Sequence, residues 1–222
     1  MLELCEIHKY FQCDSQPLIA LGNINLRINK GDFVAITGSS GSGKSTLLSI
    51  LGCLDSPSSG QYFFEGEAVN HLSDAELAKI RNKKIGFVFQ GYNLIPRYTA
   101  LVNVCVPMAY AGLSQELREK RATLALKAVG LQDRMHHKPS ELSGGQQQRV
   151  GIARAIVNNP GLIIADEPTG SLDDHSTLEI INLFQQLHKS GKTIVFVTHN
   201  MDLLPYANRV LTLEAGKLVQ IS

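Results

Sequence analysis

Strand-sized apolar runs alternate with helix-like segments along the 222 residues, which predicts an α/β fold with a mostly parallel sheet. Three observations carry this. Phe33 to Thr37, Leu162 to Ala165 and Thr193 to Val197 are short and apolar, as buried strands are. Helical patterns separate them. From about Gly91 to Ser143 the chain turns mostly helical, which reads as an insertion into the sheet.

In order, the first segments read as strands. Asn23 to Ile28 alternates, with Ile24, Leu26 and Ile28 on one face and Asn25 and Arg27 on the other. Gly31-Asp32 turns the chain into Phe33 to Thr37. A glycine-serine loop, Gly38 to Gly43, precedes a helix over Lys44 to Gly52. Pro57 to Gly60 is a turn before a strand at Gln61 to Phe64, and Ser73 with Glu76 makes a capping box for another helix. Ile85 to Phe89 is strand-like. The helical stretch that follows carries breaks at Pro96, Pro107, Gly112, Gly130 and Pro139. Ser143 and Gln146 form a second capping box, opening a helix that Asn158-Asn159-Pro160 stops. A helix from about Ser176 to Lys189, ended by Gly191, and a hairpin around Glu214 to Lys217 complete the chain.

Composition narrows the function. With 44% hydrophobic and 18% charged residues, the chain reads as an ordinary globular domain with room for a core. A net charge of +1 supplies no whole-chain field for nucleic acid or anionic lipid. No apolar run approaches a membrane span, so a membrane role is expected to come through a partner. Met1 to Tyr10 carries Glu3 and Glu6 and lacks a basic-then-apolar leader, so no secretory signal is expected. Cys5, Cys13, Cys53 and Cys105 have no metal-binding spacing, which points to reduced thiols.

Gly38-Ser39-Ser40-Gly41-Ser42-Gly43-Lys44-Ser45, followed by Thr46, fits GxxxxGK[ST] between a predicted strand and a predicted helix, where that pattern binds phosphate. Glycines let successive N–H groups curl around phosphate oxygens, and the helix aims its positive end there. Lys44 then neutralises β/γ-phosphate charge, and the Ser45 hydroxyl is a Mg²⁺ ligand. Asp166 ends a buried strand, where an open α/β sheet places its ligands, and suits the second hold on Mg²⁺. Glu167 follows and is placed to accept a proton from an attacking water. Leu142-Ser143-Gly144-Gly145-Gln146 exposes N–H groups and a hydroxyl at another helix start, a second anion site; a plain capped helix would also explain it.

With LSGGQ beside the phosphate loop, the chain resembles the ATP-binding-cassette ATPases over essentially its whole length. The resemblance implies a P-loop NTPase, RecA-like core with an antiparallel β subdomain and an inserted α-helical subdomain at about residues 91–145 of one 1–222 domain. It implies that Tyr10 stacks on adenine and that Gln90 touches Mg²⁺ and senses the membrane partner. Ser171-Leu172-Asp173 would cross a dimer interface, and His199 would be the switch histidine at the γ-phosphate. The implied assembly is a homodimer enclosing two ATP, each held between the phosphate loop of one copy and Ser143, Gly144, Gly145 and Gln146 of the other.

Within the family, SGSGKSTLLSILGCLDSPSSG, IGFVFQGYNLIP, VPMAYAGL and ADEPTGSLD resemble the subunits of macrolide-type exporters, lipoprotein-release systems and antimicrobial-peptide transporters. That group implies a permease with few membrane helices and a large extracytoplasmic domain, and a cassette peripheral to the cytoplasmic face of the membrane. Two positions depart from it. Val102 stands where glutamate is usual, and Gly151 where alanine is usual, a glycine that costs its helix roughly 1 kcal/mol. DNA- or ribosome-acting relatives carry coiled-coil insertions or two cassettes; this chain shows one cassette, no heptad run and no basic patch. A signalling cassette of the cell-division type is the remaining alternative, and only the partner separates it from export.

Overall fold

The computed structural model describes residues 1–12 and 18–221; Cys13 lies outside them. Among the described residues, two sheets and six α-helices make the architecture. Strands β1 (Leu2–Phe11), β2 (Leu18–Ile28), β4 (Ser59–Phe64) and β5 (Glu67–Ala68) form an antiparallel sheet in the order β2-β1-β4-β5. Strands β3 (Phe33–Thr37), β6 (Ile85–Phe89), β7 (Leu162–Asp166), β8 (Thr193–Val197), β9 (Arg209–Glu214) and β10 (Lys217–Ile221) form the second, ordered β10-β9-β3-β8-β7-β6. All its pairings are parallel except the closing β9–β10 hairpin.

The central strands explain the layering. Alternate residues point to opposite faces. In β3, Val34 and Ile36 join a core shared with Leu4, Leu26 and the helix α1 (Lys44–Leu51), between the sheets. Phe33 and Ala35 join a second core with Ile180 and Phe184 of α6 (Asp174–Lys189) and Val150 and Ile152 of α5 (Gly144–Ile156). A strand buried on both faces must be continuously apolar, which is why β3 and β8 were readable.

Between β6 and α5 the chain leaves the sheet and forms α3 (Ala100–Tyr110) and α4 (Gln115–Ala128), which pack on α5. The expected break at Pro107 does not occur, and α3 runs through it. Proline removes one N–H from the ladder, but it falls in the last turn. Val104 and Met108, fully buried on either side, hold the segment helical. Its carbonyl accepts from Asn82 Nδ2 at 2.8 Å and from the Ala111 N–H at 3.1 Å.

Other boundaries move for local reasons. Helix α6 starts at Asp174 rather than Ser176, because the Asp173 carboxylate accepts from the Ser176 N–H at 2.8 Å and caps it. Strand β2 begins at Leu18, five residues early, because Leu18 and Ile19 pair with Phe11 and Tyr10. Both capping boxes form: that of Ser73 and Glu76 opens α2 (Asp74–Lys84), and that of Ser143 and Gln146 opens α5. Among the described residues, no helix is long and apolar enough to cross a membrane, and Cys5, Cys53 and Cys105 are free thiols.

Candidate active site

The loop between β3 and α1 gathers the chemistry. It leaves the carboxyl end of a central strand and enters a helix at Gly43, whose φ of 99° lies in the left-handed region where a side chain is strained. A Cβ there would meet the Ala20 carbonyl oxygen at 2.5 Å, and one on Gly38 the Leu213 oxygen at 2.1 Å. The loop is therefore wedged between β2 and β9, and only glycine fits. No side chain caps α1, and its first turn holds no acidic residue. Its N-terminal N–H groups are left to an anion.

Ser40, Gly41, Gly43, Lys44, Ser45 and Thr46 line a cleft of about 420 Å³ together with Glu167 and His199. Lys44 is bent back, its Nζ donating to the carbonyls of Gly38 (2.9 Å) and Ser39 (2.7 Å). Glu167 turns off the end of β7 with φ 44°, again left-handed. Its carboxylate Oε1 lies 2.9 Å from His199 Nε2. Ser45 and Asp166 line a smaller adjoining cavity of about 40 Å³. Burial first, then the neighbouring Glu167 charge, raises the Asp166 pKa above the usual aspartate value; Lys44 and His199 offset part of this. The rest of that cavity is largely apolar, Leu48, Leu54, Phe87, Phe89 and Ile164 among its lining; the Ser45 hydroxyl and the Asp166 carboxylate offer it hard oxygen donors of the kind Mg²⁺ takes alongside phosphate and water.

The Ser143–Gln146 turn lines neither cavity. Ser143 Oγ accepts from the Gln146 N–H at 3.3 Å, and Gln146 Oε1 accepts from the Ser143 N–H at 3.0 Å. The glycines allow close approach: a Cβ on Gly144 would sit 2.8 Å from the Tyr92 hydroxyl, and one on Gly145 2.8 Å from Ser176 Oγ, so those side-chain ends would have to move aside. Gln90 follows β6 and directs its amide at Gly170, which separates it from Glu167: a Cβ on Gly170 would lie 2.9 Å from Gln90 Nε2 and 3.2 Å from Glu167 Oε2. The chain thus unites the phosphate loop, Asp166, Glu167 and His199, and keeps Ser143–Gln146 and Asp173 apart from them.

Residues 21–170 match the family model described as ABC transporter. The chain belongs to that family. It is an ATP-binding subunit, and ATP hydrolysis is its reaction. The cassette is 50% identical to an uncharacterised ABC transporter ATP-binding protein of Thermotoga maritima, over 98% of this chain and 93% of that protein. It is 48% identical to the ABC transporter ATP-binding protein YknY of Bacillus subtilis, over 100% and 96%. It is also 50% identical to the macrolide export ATP-binding/permease protein MacB of Pectobacterium atrosepticum, where 99% of this chain spans 34% of that protein's length. A dimeric post-hydrolysis structure of the ATP-binding cassette MJ0796, bound to ADP and Pi, superposes with a TM-score of 0.93 at 45% identity, covering 100% of this chain and 98% of that one. The expected P-loop NTPase fold of the cassette follows from that match.

Tyr10, the residue expected to stack on adenine, neighbours the aromatic that lines the cleft. Tyr10 does not line the phosphate cleft; Phe11 does, with Leu18 and Ile19. Successive strand residues face opposite ways, and Tyr10 stacks on His8 instead, ring centroids 5.9 Å apart. An aromatic at either position reads the same in the sequence, so only the strand's orientation chooses. Sequence reasoning also missed Gln148 and Arg154 on α5. Gln148 is fully buried, and its Nε2 donates to the Pro168 carbonyl at 2.5 Å. Arg154 donates to the carbonyls of Asn93 (2.6 Å) and Tyr92 (2.8 Å). A signal existed for the first: Gly145, Gln148, Ile152 and Ala155 share one helix stripe, and Gln148 is its only side chain with hydrogen-bonding groups.

Proposed function

We propose that two copies of the cassette close on two Mg²⁺·ATP, the phosphate loop of one facing Ser143–Gln146 of the other, and so power export or extraction by a separate permease. The observation that carries this is the pairing of Glu167 with His199 at 2.9 Å on the wall of the cleft that the phosphate loop lines. Lys44 would exchange its two loop carbonyls for β/γ-phosphate oxygens. Ser45 and Asp166 would hold the Mg²⁺, which neutralises charge on the transferring phosphoryl when bound, with Gln90 at its margin. Glu167 would accept the proton of the attacking water while His199 contacts the γ-phosphate, and Phe11 rather than Tyr10 would lie against the adenine. Asp173 and its loop would cross the dimer interface. Since each copy would supply both half-sites once, the assembly would be two-fold and closed; the MJ0796 cassette is described as dimeric.

Residues 91–145 serve in this reading as the helical subdomain that meets the permease, at the cytoplasmic face of the membrane. A groove of about 750 Å³ between α2 and α3 supports it, floored by Leu54, Phe87, Val106 and Tyr110 and edged by Lys79, Arg81 and Lys83. Tyr110 is 85% exposed there. Likeness to macrolide export ATP-binding/permease proteins favours the exporter or extractor group, with its large extracytoplasmic permease domain. Size-exclusion chromatography with light scattering on Glu167→Gln, with and without ATP, tests the mechanism. An ATP-dependent dimer is the expected outcome. A variant that binds no ATP overturns the reading of Gly38 to Ser45; one that binds ATP yet stays monomeric with the permease present overturns the sandwich.

A further inference from the structure

Glu167 stands in a left-handed conformation that an ordinary side chain adopts only when its surroundings over-determine it. Three hydrogen bonds do so. The Glu167 N–H donates to the Val197 carbonyl of β8 at 3.1 Å, and the Glu167 carbonyl accepts from the Gly170 N–H at 3.1 Å. The third comes from a different layer: buried Gln148 of α5 donates Nε2 to the carbonyl of Pro168, the next residue. The amide orientation is fixed, because a flip would set two oxygens against each other.

Helix α5 is tied to both sides of the reaction centre. Arg154, two turns on, donates to Tyr92 and Asn93, the turn that follows Gln90. Those residues also stand at positive φ, 59° and 49°. At the other end, Ser143 and Gly144 begin the helix beside Tyr92 and Leu172. One rigid helix thus carries the Ser143–Gln146 turn at its tip and grips both the Glu167 turn and the Gln90 turn along its side.

We propose that Gln148 is a positioning residue for Glu167, and that through it α5 transmits the engagement of Ser143–Gln146 with a partner's phosphate to the carboxylate of its own copy. This rests on the base role proposed for Glu167. A helix is stiff along its axis, so a displacement at its tip moves the Gln148 amide with it. The Pro168 carbonyl, one residue from the carboxylate, follows. The two ATP sites of a dimer are thereby linked without contact between them.

The test uses the full chain at saturating Mg²⁺·ATP, with its permease where the chain alone does not turn over. Wild type must hydrolyse and Glu167→Gln must not; if Glu167→Gln still hydrolyses, the base assignment fails and Gln148 is not at issue. Gln148→Met keeps shape and loses the donor. Its kcat is expected to fall roughly tenfold or more, with ATP affinity close to wild type and melting temperature lowered by only about 2–8 °C, since the Pro168 carbonyl loses its donor. Gln148→Glu discriminates further. Ionised, it sets a carboxylate against the Pro168 oxygen; protonated, it supplies an O–H donor. Its activity relative to Gln148→Met is expected to rise as pH falls, a dependence that packing alone does not produce. A Gln148→Met enzyme with wild-type kcat, or identical pH profiles for the two variants, overturns the proposal.

Discussion

Two helix starts in this molecule are built from the same small residues and behave as opposites. At α1 the entry residue is Gly43, no side chain caps the helix, and Lys44 is spent on the carbonyls of its own loop. At α5 the entry residue is Ser143, and the reciprocal bonds with Gln146 satisfy two of the donors a helix start leaves open. The first leaves its N–H groups without a side-chain partner, as a phosphate-binding helix start does. The second is a finished cap whose Ser143 hydroxyl proton and Gly145 N–H can still donate. A phosphate should therefore be held at α1 in a single copy and engage α5 only when another copy presents it. The difference separates nucleotide binding from dimer closure.

The largest expected effect is at α1. Lys44→Ala should weaken ATP binding by about 3 kcal/mol, on the order of 100-fold in Kd, because a charge-assisted contact to phosphate is lost. A fluorescent ATP analogue titrated into the full chain reads this, and near-normal affinity would break the contrast at its stronger end.

Next comes Asp166, whose pKa is raised by burial and by Glu167. A raised carboxyl takes up its proton early on acidification, so the Mg²⁺ needed for ATP binding should increase as pH is lowered from neutral, before an ordinary aspartate would respond. In the unliganded fold the sign is the reverse: the raised pKa favours folding at low pH, and this contribution is lost as pH rises through the folded value. Mg²⁺ titrations across pH check the first effect, and in Asp166→Asn only the pH dependence of ATP's own terminal phosphate, which titrates at about pH 6, should remain.

Ser143→Ala tests the capped end. ATP binding by a single copy should be unchanged, while ATP-driven dimerisation in a Glu167→Gln background should weaken on the order of 100-fold, about 1.4 kcal/mol for the hydrogen bond lost at each of the two sites. The lost cap should also lower stability by about 1 kcal/mol. Equal losses in monomer binding and dimerisation would erase the distinction between the two helix starts.

The smallest effect is Gly151→Ala. The added methyl would meet Gln148 Oε1 at 3.6 Å and the Tyr92 carbonyl at 3.8 Å, ordinary contacts. Helix propensity should then raise stability by about 1 kcal/mol, some 2–4 °C in melting temperature. A scanning calorimeter decides it; a lower melting temperature would mean that α5 is seated more tightly than these distances imply.

Local rules made much of this fold readable. Strands β3, β6 and β8 fall where their apolar runs place them, because a strand packed on both faces is apolar through its middle, with buried threonine only at the ends of β3 and β8. The capping boxes at Ser73 and Ser143 were legible because both partners lie within one turn. Pro107 misled because the penalty for proline is local while the packing of Val104 and Met108 that overrides it is not.

The sequence by itself determined the parts of the proposed site: a glycine loop ending in Lys44-Ser45, a strand ending in Asp166-Glu167, and a serine-glycine helix start at Ser143. Each is short, and its chemistry is written in adjacent residues. Only the tertiary structure decided which aromatic meets the cleft, that His199 stands at 2.9 Å from Glu167, and that Gln148 reaches the Pro168 carbonyl. Those facts join residues separated by tens of positions. Strand orientation and helix packing set them, and no local pattern carries that information.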